Sequence, residues 1–137
     1  MITRKFFTAH VVRANGAPVN VPVQIELAYD DVSDPFAVRA VFYDNGQEIV
    51  WHFSRDLLKE AVESRGPIAI IGAGDVKFQG QGQMIAMCLG GVEGHADVLL
   101  PRQAVASFVS EVDALTGQIA EDVDSAIDDF LEEVLGE

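Results

Sequence analysis

The sequence predicts an α+β fold: two four-stranded, mostly antiparallel β-sheets packed together, in a β4-α-β4-αα order. Three observations carry this expectation. Period-2 alternation dominates the first third, a capped helical stripe interrupts it, and glycine-rich breaks partition the segment that follows. Runs of strands followed by a helix do not wind a parallel sheet, whose crossovers alternate strand with helix. Eight short strands in a small chain instead point to two sheets face to face, or to a flattened barrel. The 137 residues suffice for one core, and a single domain is expected over residues 1–137.

Strands are expected over about 6–53. Phe6 to Arg13 forms the first, and Asn15-Gly16-Ala17-Pro18 supplies a turn. In the second, Val21, Val23, Ile25 and Leu27 point one way while Gln24 and Glu26 point the other. Phe36, Val38, Ala40 and Phe42 share a face of the third, and Asn45-Gly46 tolerates the positive φ of a tight hairpin. The returning strand sets Ile49, Trp51 and Phe53 together. A helix follows at about 55–65, with Ser54 as N-cap, Asp56 near the positive dipole end, and a stripe of Leu57, Leu58, Ala61 and Val62. Gly66-Pro67 stops it.

Strands resume over about 67–100, as Ile68–Gly72, Asp75–Gln79, Gln83–Leu89 and His95–Leu100. Gly72-Ala73-Gly74, Gly80-Gln81-Gly82 and Gly90-Gly91 are read as the breaks between them. Two helices close the chain at about 102–116 and 122–135. Pro101 suits a first helical turn, and Val105, Phe108, Val109, Val112 and Leu115 recur at helical spacing. In the last helix Val123, Ile127, Phe130, Leu131, Val134 and Leu135 form the apolar stripe.

Composition narrows the function. The chain is 49% hydrophobic and 23% charged, ordinary globular usage, and its formal charge of −13 disfavours phosphate backbones and anionic membranes as partners. Ten carboxylates and no lysine or arginine fall between Glu111 and Glu137, a solvated face or a docking surface. Cys88 is the one cysteine and sits in an apolar run, so a structural thiol in a reducing compartment is expected. No signal peptide and no transmembrane run are apparent, which points to a soluble, cytoplasmic protein.

Catalytic signatures are missing. His10, His52 and His95 are widely spaced and begin no HxxxH or HExxH pattern. The two GxG stretches lack the third glycine or the lysine of a nucleotide loop, and each lies between strands. Asp30, Asp31 and Asp34 precede a strand rather than joining two helices, so turn chemistry explains them better than a calcium loop. The expectation is a protein that is not an enzyme and takes no cofactor and no metal.

Residues 29–62 are more distinctive. Tyr29-Asp30, then Asp34-Pro35-Phe36-Ala37-Val38, then Trp51-His52-Phe53-Ser54-Arg55-Asp56-Leu57-Leu58 resembles the recurring pattern of the SsgA-like proteins of sporulating actinomycetes. Gly74-Asp75-Val76, Gly80-Gln81-Gly82 and Ser107-Phe108 extend the resemblance over roughly residues 20–110. It implies a non-enzymatic role in sporulation-specific cell division at the septum. The partners implied are the tubulin-like division GTPase FtsZ, which it would help to position, and an SsgA-like paralogue. A homotrimer is also implied, with a fold similar to the whirly single-stranded nucleic-acid-binding proteins. Nucleic-acid binding is therefore the alternative reading. The motif residues carry structural expectations: Asp34-Pro35 turns the chain into the third strand, and Trp51 and Phe53 bury against the sheet. Arg55 and Asp56 fix the first helical turn or face a neighbouring subunit.

Overall fold

The structure is a computed structural model that describes residues 1–64, 70–72, 74–91 and 94–117. Its strands are β1 (Ile2–Ala14), β2 (Ala17–Asp30), β3 (Ala37–Asp44), β4 (Gln47–Ser54), β5 (Ile70–Ile71), β6 (Val76–Gln81), β7 (Met84–Gly91) and β8 (Gly94–Pro101). Helix α1 (Arg55–Glu63) separates β4 from β5, and α2 runs over residues 102–117. The expected helix over 122–135 lies outside the described residues.

Local sequence sets the hairpins. Asn15 and Gly16 have φ of 50° and 82°, and Asn45 and Gly46 have φ of 49° and 79°. Two successive left-handed residues make the two-residue hairpin turn whose twist matches the strands it joins. Ser54 caps α1 as expected: its Oγ accepts from the N–H of Asp56 at 3.1 Å and of Leu57 at 3.4 Å. The helix ends at Glu63, two residues before its expected end, and Ser64 N–H returns to Glu60 O at 2.9 Å.

The two expected sheets are one. The strand order is β4-β3-β2-β1-β8-β7-β6-β5, and every neighbouring pair is antiparallel. Each half is a four-stranded meander, as the hairpin signals implied, but β1 and β8 join the halves edge to edge. That seam pairs His10, Val11, Arg13 and Ala14 with Leu99, Val98, Asp97 and Ala96, across a bulge between Val11 and Arg13. The single sheet then curls. Phe53 on β4 and Phe78 on β6 meet edge-on, ring centroids 5.4 Å apart, although five strands separate them in the sheet order.

The concave face holds the core. Ile25, Leu27, Val38, Ala40, Phe78, Ile85, Met87 and Leu100 point into it. Helix α1 adds Leu58 and Ala61, and α2 adds Val105, Phe108, Val109 and Val112. Burial of this stripe, rather than intrinsic propensity, holds a nine-residue helix such as α1.

Several expected positions are corrected. Phe36 precedes β3 and is 71% exposed, because the chain is still turning there. Val21 and Ile49 lie on the concave side but beyond the helices, and both are exposed. Trp51 is half-buried rather than buried for the same reason. Glu26, expected to face solvent, is 6% exposed on the convex face, paired across strands with Phe6 and Val41 and 3.8 Å from Arg39. Pro101 ends β8 opposite Met84 instead of opening a helix. Gly80 lies within β6, and Gly90 and Gly91 lie within β7.

Candidate functional site

The motif residues converge on one corner of the fold. Tyr29 ends the buried part of β2, and its hydroxyl donates to Pro35 O at 2.9 Å. Arg55, the first residue of α1, donates through Nη1 to that same hydroxyl at 3.3 Å and to Thr116 Oγ1 of α2 at 2.9 Å. Its guanidinium also lies 5.6 Å from the centre of the Phe36 ring, and its backbone N–H bonds Phe36 O at 2.9 Å. One arginine thus ties the 30–36 turn, α1 and α2 together, and a small cavity of about 120 Å³ lies beside it between the helices.

The aspartates shape the turn. Asp30 Oδ1 accepts from the N–H of Val32 at 3.0 Å and of Ser33 at 3.3 Å. These bonds, that from Val32 foremost, hold its carboxyl below the usual carboxylate range. Asp34 Oδ1 accepts from Phe36 N–H at 3.3 Å, so Asp34-Pro35 does turn the chain into β3. Asp56 lies at the first turn of α1 with its side chain 85% exposed and 3.8 Å from Arg55 Nε. Leu58 is core and Leu57 half-buried. Tyr29, Asp30, Asp34, Pro35 and Arg55 are therefore brought together, while Phe53 joins the core and Trp51 stands apart.

Trp51 lines a second feature. Where the helices stop covering the concave face, an open cleft of about 390 Å³ lies between Trp51, Ile49 and Phe42 on one side and Val98 and Leu89 on the other. Its lining is largely apolar, with His95 and Asp44 among the polar residues at its edge. Among the described residues no three His, Cys, Asp or Glu side chains are placed to hold a metal ion.

Several other cations are engaged with neighbouring side chains. Lys5 reaches Ser107 at 3.3 Å, Lys59 pairs with Asp113 at 3.3 Å, and Arg13 lies 3.8 Å from Asp97. Cys88 is half-buried on β7, and burial followed by the charge of Asp97 pushes its thiol up to about 11.

Sequence reasoning missed Arg102. Its Nε donates to Gly82 O at 2.7 Å, and its Nη1 donates to Val62 O at 2.6 Å and Ala61 O at 3.3 Å. A cation at the carboxyl end of α1 meets both the orphan carbonyls and the negative end of the dipole. No local signal marks it, since its partners lie twenty and forty residues away. Gly80 leaves it room: a Cβ there would sit 2.8 Å from Arg102 Nη2 and 2.6 Å from Ser64 O.

Comparison with known proteins places this geometry. The family model described as Streptomyces sporulation and cell division protein, SsgA, matches residues 23–121. The chain is 34% identical over 124 residues to the sporulation-specific cell division protein SsgB of Streptomyces coelicolor, covering 86% of this chain and 85% of that one. It is 35% identical over 104 residues to SsgB of Frankia casuarinae, covering 72% and 67% respectively. A solved structure from work correlating SsgB mutations with longitudinal cell division in sporulating Streptomyces coelicolor matches with TM-score 0.70. The identity there is 29%, over 84% of this chain and 88% of that one. An SsgA-like sporulation-specific cell division protein of Thermobifida fusca shares the fold, with TM-score 0.72 over 96% of both chains at 24% identity.

Proposed function

This chain belongs to the SsgA family of sporulation and cell division proteins, and on that premise we propose that it serves sporulation-specific septation as a non-enzymatic contact scaffold. In this reading it works at the septum, helps to position the division GTPase FtsZ, and acts with an SsgA-like paralogue as part of a homo-oligomer. The observation that carries the reading is the match to SsgB over most of both chains.

The site chemistry is consistent with a scaffold. The polar motif groups Tyr29, Asp30, Asp34 and Arg55 are engaged in internal hydrogen bonds. They hold a corner rigid, leaving the apolar cleft and the sheet edges as surfaces for other proteins. No described helix is long and apolar enough to cross a membrane, so recruitment through a protein partner fits better than an anchor within the described residues.

Co-sedimentation with FtsZ polymers, alone and with the paralogue, tests the partner. Pelleting that depends on polymer is expected, and its absence under both conditions refutes direct recruitment. Fluorescence in sporulating hyphae tests the order of events, since foci that precede the FtsZ ladder are expected and foci that only follow it refute positioning.

A further inference from the structure

Strand β4 ends the sheet, and its register with β3 runs without a bulge from Asp44↔Gln47 to Ala37↔Ser54. The two-residue turn and the bond from Arg55 N–H to Phe36 O fix which β4 residues bond β3. In antiparallel alternation these are Gln47, Ile49, Trp51 and Phe53. The N–H and C=O groups of Glu48, Val50 and His52 therefore point along the sheet to the open side. Among the described residues no backbone bond from β3–β4 satisfies them. The strand carries no proline and no lysine, the usual protections of an edge. Gln47 through Val50 are all exposed, with Ile49 and Val50 each at 44%.

We propose that this edge pairs with the same edge of a second copy, antiparallel about a two-fold axis through Val50. The sequence of β4 selects both the partner and the register. Pairing about Val50 sets Val50 against its own counterpart and Glu48 against His52 of the second copy, twice by symmetry. Moving the axis to Glu48 or to His52 would oppose like residues instead; moving it to Ile49 would set Glu48 against Val50, and moving it to Trp51 would set Glu48 against Ser54, whose Oγ already caps α1. On the convex face the cross-strand rows then continue as Arg39, His52, Glu48 and Tyr43, with Val41 and Val50 between them. On the concave face Ile49 of one copy meets Trp51 of the other, and both line the apolar cleft. The two clefts become one surface that spans the axis. The contact is two-fold, so it is distinct from any three-fold assembly and would join such units in pairs.

One strand pair buries less than a standard interface, so the association is weak and depends on concentration. Sedimentation velocity over a dilution series tests it, in moderate salt to screen the formal −13 charge on each copy. Val50→Pro removes an N–H that β3 does not use, so the fold stays intact by circular dichroism while pairing is lost. Glu48→Lys weakens pairing by about tenfold, because both carboxylate acceptors that face His52 across the interface are lost. The double variant Glu48→Lys/His52→Glu restores it. Wild-type protein that never pairs overturns the proposal, even if a different chain binds at β4. Pairing that survives Val50→Pro, or that the charge exchange fails to restore, overturns it too.

Discussion

Tyr29→Phe isolates one atom of the corner that Arg55 ties. The ring is 1% exposed and keeps its packing, so only the hydroxyl is lost. That oxygen makes two bonds, to Pro35 O at 2.9 Å and from Arg55 Nη1 at 3.3 Å. A net hydrogen bond contributes about 1 kcal/mol, and a stranded buried partner adds about 1–3 kcal/mol. Pro35 is only partly buried and water can reach it, so the expected loss is about 1–2 kcal/mol. Arg55→Met keeps much of the stem while removing the charged donor to Tyr29 and Thr116 and the stack over an exposed Phe36. A charged hydrogen bond of about 1.5 kcal/mol, a cation–π contact of about 0.5 kcal/mol and the long bond to Tyr29 give about 2–3 kcal/mol. The two residues share that last bond, so the double variant should lose less than the sum, by about 0.5–1 kcal/mol. Urea unfolding followed by Trp51 fluorescence measures all three variants. Additivity within about 0.3 kcal/mol would refute the corner as a coupled unit.

Other outcomes follow from the same geometry. Gly80→Ala drives a methyl group against Ser64 O and Arg102 Nη2 and should cost about 1–3 kcal/mol in thermal melts. Trp51→Ala should leave a folded protein, losing about 1–3 kcal/mol because the ring is half-exposed in the cleft, as circular dichroism and a urea midpoint can check. Cys88 should alkylate at neutral pH about a hundredfold more slowly than a free thiol, because its thiol is raised from 9.0 to about 11. The unfolded chain releases that proton first, so this part of the stability is intact below pH 9 and falls as pH rises towards 11. Cys88→Ala should remove that part of the alkaline slope.

Hairpins and the first cap were legible because they depend on neighbours in sequence. Asn15-Gly16, Asn45-Gly46 and Ser54 behave as their residue types dictate. Strand faces were legible only as far as the helices cover them: Ile25 and Leu27 are buried, while Val21, with the same period, is exposed. The joining of two meanders into one sheet was not legible, since the β1–β8 pairing leaves no trace in periodicity. Of the motif, the turn role of Asp34-Pro35 and the core role of Phe53 could be read directly. The meeting of Tyr29 with Arg55 could not, because it depends on the curl that carries α1 back over the end of β2.

The bulged β1–β8 seam also sets an order of events during synthesis. Each meander can assemble from strands adjacent in the chain, whereas the seam must bring the first strand to the last. Distant closures are slow, because loop entropy is lost before any contact rewards it. A nascent N-terminal half therefore leaves the ribosome with the far side of β1 unpaired and waits for β8 to arrive. Arg13 lies in the stretch that waits, and a charged side chain there works against its zipping onto a neighbouring nascent chain in the meantime.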